Sequence, residues 1–406
     1  MPALSGPPVA PPAVGGATEQ LRRRNLSTVL DLVHRDRALS RSALTARTGL
    51  NRSTVGDLVS ELERLGLVFE ELPVGSNLPG RPSPIVRPNP GVVTVALNPE
   101  VDAINVGLVS LGGSVLARMR LEIGSPRSAA EVVALGASAI EGLLSGRDGL
   151  RVAGVGVAVP GQVRLSDGEV REATHMGWTD EPVADMVAEA TGFPTWAANA
   201  ANLGMRAESA FGAGRGVDDF IYLIGGPSGI GGGAVTGGEL LVGAAGYAGE
   251  FGHTFVRSDG TACPCGARGC LEAEVTQAAL LAAVGLEAGE IAALSDRVRA
   301  VRRSDAGDMR ANGAAALVDE QLRLLGIAVR TLINSFNPRL VILGGFLGDL
   351  FEASGSAGEK LYGEAIRSAR DGVTVVRDRL GRDQLMIGAA ELVFANVITD
   401  PGGQFV

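Results

Sequence analysis

The stretch His253-Thr254-Phe255-Val256-Arg257-Ser258-Asp259-Gly260-Thr261-Ala262-Cys263-Pro264-Cys265-Gly266-Ala267-Arg268-Gly269-Cys270-Leu271-Glu272 holds all three cysteines of a 406-residue chain and one of its three histidines. Three thiolates and one imidazole complete a tetrahedral shell for zinc, and Gly266 and Gly269 let the chain wrap closely round an ion. His253, Cys263, Cys265 and Cys270 are therefore the predicted ligands. A shell made wholly of protein leaves no open position for water, so the zinc is expected to be structural. Two carboxylates flank the stretch, Glu250 in Gly249-Glu250-Phe251-Gly252-His253 and Glu272 at its end. A zinc loop would draw both towards His253. Carboxylates and imidazole at a cleft edge suit a polyhydroxyl ligand, because each carboxylate accepts from two neighbouring hydroxyls. The same two residues are equally consistent with solvated or capping roles.

Outward from this loop the pattern is α/β. Val92–Leu97, Ile104–Leu111, Val115–Ile123, Val152–Val159, Phe220–Ile224 and Leu340–Leu343 read as strands. Ala- and Leu-rich helical stretches over 128–145, 183–191, 275–287 and 313–335 lie between them. Strands alternating with long helices predict two lobes with a cleft between them. The run Gly229-Ile230-Gly231-Gly232-Gly233 reads by itself as a tight turn more than as a phosphate cradle.

The N-terminal part has another texture. Residues 1–17 carry no Asp, Lys or Arg and read as a disordered arm. Leu26, Val29, Leu30 and Val33 fall at helical spacing, a short helix follows Ser40 and stops at Gly49, and Asn51 stands where an N-cap belongs. Leu67–Glu71 reads as a strand and 73–84 as a hairpin or loop. Three helices and a β-wing over 18–90 describe a winged helix-turn-helix, with Arg52, Ser53 and Thr54 opening the recognition helix and Arg81 on the wing as candidate DNA contacts. The charge agrees. Residues 18–90 hold 11 Arg against 8 acidic residues, whereas the remainder holds 25 basic and 37 acidic residues. Only the head is suited to phosphates. A helical packing module with no nucleic acid is the bland alternative. Neither a membrane span nor a secretion signal is evident, and a cytoplasmic protein is expected.

The segment His253–Glu272, led by Gly246-Tyr247-Ala248-Gly249-Glu250, resembles the signature of the ROK family of repressors, open reading frames and sugar kinases. Further matches are Val157-Ala158-Val159-Pro160-Gly161, Gly177-Trp178, Gly229–Gly233, and Asn337-Pro338 before Val341-Ile342-Leu343-Gly344-Gly345. The resemblance covers about 90–400 and implies the two-lobed actin-like architecture of sugar kinases, Hsp70 and actin. The lobes would comprise 91–198 with 380–406, and 199–379. The head, with Gly80-Arg81-Pro82, resembles the repressor branch, including regulators of xylose and N-acetylglucosamine operons. Asn199, Glu250, His253 and Glu272 are then expected to hold a sugar. His175 is a candidate for tuning the choice of sugar, or a structural residue.

Kinases of this family carry a glycine loop for ATP and an Asn-Asp-Ala-Asn segment whose Asp takes the proton from the sugar. Here Ala96–Asp102 has no glycine, and the second segment reads Asn199-Ala200-Ala201-Asn202. A Pro227-Ser228 pair replaces a Gly-Thr, removing a backbone donor. A methyl group is no general base. The expected protein is thus a sugar-responsive transcriptional regulator, a repressor of carbohydrate uptake or catabolism genes, that binds operator DNA as a homodimer or homotetramer and takes a sugar or sugar phosphate as effector. The alternative is an ATP-dependent sugar kinase fused to a DNA-binding head.

Overall fold

Capping fixes the head. In a computed structural model, which describes residues 16–72, 83–244, 246–303, 309–359 and 361–403, helix α1 spans Ala17–Asp36, α2 Arg41–Thr48 and α3 Arg52–Arg64. Of the arm expected over 1–17, residues 1–15 lie outside the described residues, and Ala17 already opens α1. Ser40 accepts from the Ala43 N–H and Asn51 from the Thr54 N–H, while Gly49 ends α2 at φ +70°, a left-handed geometry that favours glycine. Val55, Leu58, Val59 and Leu62 of α3 are buried in one cluster with Leu26, Val29, Leu30 and Val33 of α1. Strands β1 (Leu39–Ser40), β2 (Val68–Glu71) and β3 (Ile85–Pro88) form an antiparallel sheet with β3 central.

Two five-stranded sheets build the body. Into the first go β4 (Val92–Pro99), β5 (Ala103–Ser110), β6 (Ser114–Glu122) and β7 (Arg151–Val159), with α4 (Ala129–Leu144) crossing between the last two. A small antiparallel sheet follows, made of β8 (Gln162–Arg164), β9 (Glu169–Ala173) and β10 (Trp178–Glu181). After α5 (Val183–Thr191), β11 (Thr195–Asn199) completes the first sheet in the order β11-β7-β4-β5-β6 and runs straight into α6 (Ala200–Phe211). β4 is buried along its whole length because sheet neighbours and helices cover it, whereas the edge strand β6 alternates exposed and half-buried residues.

The second sheet begins with β12 (Phe220–Gly226), β13 (Gly229–Thr236) and β14 (Glu239–Leu240). Helices α7 (Leu271–Glu274), α8 (Gln277–Val284), α9 (Leu294–Arg303) and α10 (Met309–Phe336) follow. The chain then forms β15 (Leu340–Gly345), α11 (Phe346–Ala353), α12 (Ser356–Glu359), α13 (Arg367–Arg370), β16 (Thr374–Arg377) and α14 (Gln384–Thr399), giving the order β14-β13-β12-β15-β16. The helix expected over 275–287 is interrupted at Val275 and Thr276, and Thr276 caps α8. The glycine run 229–233 is a strand, not the expected turn. It pairs with β12 throughout, and only Pro227 and Ser228 turn the chain. Its glycines serve close packing: a Cβ at Gly231 would stand 2.7 Å from the Ala201 Cβ, and one at Gly233 2.5 Å from the Met205 methyl, so α6 lies directly on β13. Among the described residues no single helix is long and apolar enough to cross a membrane.

Helix α6 also joins the body to the head. It packs beside α14 in the cluster that contains the head's core. Its last residue, Phe211, meets the His34 ring edge-on at 5.2 Å and lies under the Arg37 guanidinium. His34 is buried: its Nδ1 accepts from the Gly112 N–H at 2.9 Å, so its Nε2 carries the proton donated to Glu391 on α14 at 2.8 Å. Arg151 adds a bond from the body to the Leu65 carbonyl at 2.9 Å.

On the far side of α6, Glu208 is fully buried and accepts from the N–H groups of Ala213, Arg379 and Leu380. Beside it, the Asp378 side chain is 1% exposed, makes no hydrogen bond, and has the Arg377 Nε 3.5 Å away. Burial, then the Glu208 charge, pushes its pKa up to about 6. A carboxyl raised in the folded state favours folding by binding a proton below that value and opposes folding as an anion above it. Asp378→Asn should therefore stabilise the protein at pH 7.5, by up to about 3 kcal/mol on roughly 1.4 kcal/mol per pKa unit. At pH 5 the gain should fall to about half, and it vanishes only as pH drops below the ordinary Asp value of about 3.9. Chemical denaturation at both pH values checks this, and an equal gain at both would refute it.

Candidate functional site

The C-terminal ends of β4, β7 and β11 face the β12–β13 turn across a cleft, and the metal loop closes one side. The cleft holds a cavity of about 280 Å³, close to the lower end of the ~300–1,000 Å³ usual for small ligands. Asn199, Glu250, His253 and Glu272, the four residues predicted to hold a sugar, all line it, as do Ala200 and His175.

Asn199 is placed by being the N-cap of α6. Its Oδ1 accepts from the Asn202 N–H at 3.1 Å, and its Nδ2 donates to the Gly161 carbonyl at 2.8 Å. Glu250 precedes a single 3-10 turn, Phe251–His253. Burial pushes its carboxyl up from the ordinary range. The Glu272 side chain is 8% exposed and stands 3.6 Å from both the His253 Nδ1 and the His175 Nε2. Burial pushes Glu272 up, but His175, His253 and Cys263 together bring it below its usual value, and Glu272 in turn raises His175. Carboxylates, imidazoles and an amide converge on one small space, which equips it to bind hydroxyls.

Ligand atoms of His253, Cys263, Cys265 and Cys270 lie within 4.8 Å of one another, a cluster able to hold a metal ion. The Cys265 and Cys270 sulfurs are 3.8 Å apart, and the His253 Nδ1 is 3.7 Å from the Cys263 sulfur. With metal–sulfur bonds of about 2.3 Å and metal–nitrogen bonds of about 2.0 Å, tetrahedral edges come to roughly 3.8 and 3.5 Å. Between His253 and Leu271 the loop has two isolated β-bridges, Phe255 with Cys270 and Ala262 with Arg268, and is tied to its surroundings through Glu274, which accepts from the Thr261 N–H and pairs with Arg257. His253 therefore turns Nδ1 to the cluster while the residue also lines the cavity.

Several lining residues had not been assigned to a ligand. Glu172 and Thr174 arrive from β9 and the turn beyond it, and Asn98 and Glu100 from the end of β4. Glu100 sits 3.2 Å from the Arg120 guanidinium. Ser228 accepts from the Val101 N–H at 3.2 Å, which joins the β12–β13 turn to the β4–β5 turn where the expected glycine loop is missing. Asn98 and Glu100 were legible only as the stretch lacking those glycines. Glu172 and Thr174 carry no motif.

In the head, Arg52 and Ser53 are exposed and Thr54 half-buried at the start of α3, and the Ser53 hydroxyl donates to the Asn51 cap at 2.7 Å. Arg87 is paired with Glu71. Arg81 lies outside the described residues.

Residues 94–396 match the ROK family. A putative xylose repressor from Caldicellulosiruptor sp. (strain Rt8B.4) is 31% identical over 80% of this chain and 84% of its own. The glucokinase of Thermotoga maritima is 32% identical over 71% of this chain and 93% of its own. Among solved structures, a ROK family transcriptional regulator described as a homologue of the E. coli Mlc protein superposes with a TM-score of 0.72 at 24% identity, covering 94% of this chain and 97% of that one. Coverage of 94% takes in most of the head as well as the body.

Proposed function

Because the chain belongs to the ROK family, we propose that it is a sugar-responsive transcriptional repressor of carbohydrate uptake or catabolism genes, acting in the cytoplasm. Residues 18–90 form its winged helix-turn-helix, 91–198 with 380–406 one lobe, and 199–379 the other. Arg52, Ser53, Thr54 and Arg81 contact operator DNA, in a homodimer or homotetramer whose recognition helices enter major grooves about one turn apart. Asn199, Glu250, His253 and Glu272 hold the sugar. His253, Cys263, Cys265 and Cys270 hold a structural zinc ion, whose contribution is to stiffen the loop between Glu250 and Glu272.

The observation that carries this reading is the reach of α6. Its first residues line the cavity, and its last, Phe211, touches His34 in the head. A ligand that shifts Asn199 acts on a rigid element whose other end is the head joint. Ligand and operator then alter one another's affinity by the same factor. The identity with repressors across the head–body boundary adds support.

The glucokinase relatives favour a second reading, a kinase fused to the head. Against it, Ala200 offers no proton acceptor and Ser228 spends its hydroxyl on Val101. ATP-dependent phosphorylation of a panel of sugars should stay at background. The deciding experiment for the sensor is binding of the full-length protein to its own upstream DNA at fixed salt, with and without each sugar. Saturable binding altered by one sugar is expected. Binding that every sugar leaves unchanged would refute the sensor, and turnover above background would restore the kinase.

A further inference from the structure

We infer that the effector cavity is built for a sugar carrying no phosphate or other acidic group. This rests on the sensor reading above and narrows its ligand. The residues lining the cavity include Glu100, Glu172, Glu250 and Glu272 but no Arg or Lys. Phosphate esters are ordinarily recognised by Arg forks, Lys, or backbone N–H nests, and neither Arg nor Lys lines this cavity.

The Arg120 guanidinium pairs with Glu100 of the lining and is divided among Glu100, Asp102 and Glu122. His175 is half-buried and paired with Glu272, and His253 turns its Nδ1 to the cysteine cluster. A divalent ion held by three thiolates and a neutral imidazole would leave that loop net negative. Within the β12–β13 turn, Gly229 faces a carboxylate and an imidazole and not an Arg or Lys. Gly229, at φ +102°, is packed so that a Cβ would stand 2.7 Å from the Glu272 Oε2 and 3.1 Å from the His175 Nε2. Ser228 in the same turn is bonded to the Val101 N–H.

The opposing feature is the N-terminus of α6, whose partial charge of about +0.5 favours anions. Its Asn202 N–H is already taken by Asn199. A half charge does not offset the carboxylates. What they offer instead is a set of acceptors for hydroxyl hydrogens, which suits a free sugar and repels its phosphate ester.

The test measures binding of the full-length, zinc-loaded protein by calorimetry at fixed ionic strength. Its probes are glucose against glucose 6-phosphate, N-acetylglucosamine against its 6-phosphate, and xylose against xylose 5-phosphate. In the pair that binds, the free sugar should be at least tenfold tighter. Glu172→Arg, at the exposed lip of the cavity, should narrow that gap several-fold. An ester that binds as tightly as its parent sugar overturns the inference while leaving the sensor intact. A gap undiminished in the variant also overturns it, since charge would then not be what excludes the ester. Binding by no member of any pair would overturn the sensor reading and this inference with it.

Discussion

Glu391→Ala is expected to destabilise the protein by about 3 kcal/mol, the upper end of the cost of leaving a buried donor without its acceptor, and to disconnect the head from the cavity. The Glu391 side chain is 5% exposed and His34, its partner, 1%. Burial alone would push this carboxyl up. The hydrogen bond from His34 and the charges of Arg206 and Arg35 more than offset that and hold it below the ordinary range. Truncation would leave the Arg206 guanidinium, whose own pKa burial already lowers, without that charge, and the proton on the His34 Nε2 without its acceptor.

The sign of the pH dependence follows from the lowered value. The stability contributed by Glu391 is complete above the normal carboxylate range and is lost as pH falls through its depressed folded value. Glu391→Gln keeps an acceptor for His34 but has no charge to titrate. It should lose about 1–3 kcal/mol at neutral pH and show a flatter acid limb than the wild type. Denaturant titrations from pH 3 to 7, together with operator binding with and without sugar, check both variants. Wild-type stability and an undiminished sugar response in Glu391→Ala would exclude this joint as the link.

The second large effect is expected at Cys263. Its sulfur lies 3.7 Å from the His253 Nδ1 and 3.3 Å from the Glu272 Oε1, so one residue serves both the metal cluster and the cavity wall. Structural zinc contributes on the order of 10 kcal/mol where a loop has little else to order it; this loop has two isolated bridges and the Glu274 contacts besides, so the contribution here is smaller. Cys263→Ser should lower bound zinc from about one equivalent per chain to near none. It should abolish the sugar response while operator binding persists, because the head's core lies in a cluster shared with α6 and α14 to which the loop contributes no residue. The check is elemental analysis beside operator titrations. Full zinc occupancy with a normal sugar response would remove the loop from the sensing route.

Where the determinants are neighbours in the chain, the sequence was readable. The caps Ser40 and Asn51 and the stop at Gly49 act within a few residues of their partners, and the His253, Cys263, Cys265 and Cys270 cluster able to hold a metal ion lies within one short stretch, so spacing alone points to them. Of the first sheet, β4, β5, β6 and β7 were equally clear from their apolar runs or alternation, whereas β11, only Thr195-Trp196-Ala197-Ala198-Asn199, was not read as a strand. β13 was misread since glycine shows no alternation; what makes it a strand is the approach of α6, which lies in another part of the chain. Glu172 and Ser228 reach the cavity only when separate turns are brought together. His34 and Glu391 stand 357 residues apart, and nothing local to either announces the other.

The twelve residues of α6 also fix a length. At 1.5 Å and 100° per residue the helix is a rod of about 18 Å, with Asn199 held at one end by Gly161 and Phe211 set against His34 at the other. Deleting or inserting one residue within it would move Phe211 by only about 1.5 Å but swing it roughly 100° about the axis, off the imidazole and away from Arg37. Loops elsewhere in the chain can gain or lose residues without touching this register. Between cavity and head the residue count of α6 is therefore set by the two contacts at its ends, in addition to the close packing that fixes its buried side chains.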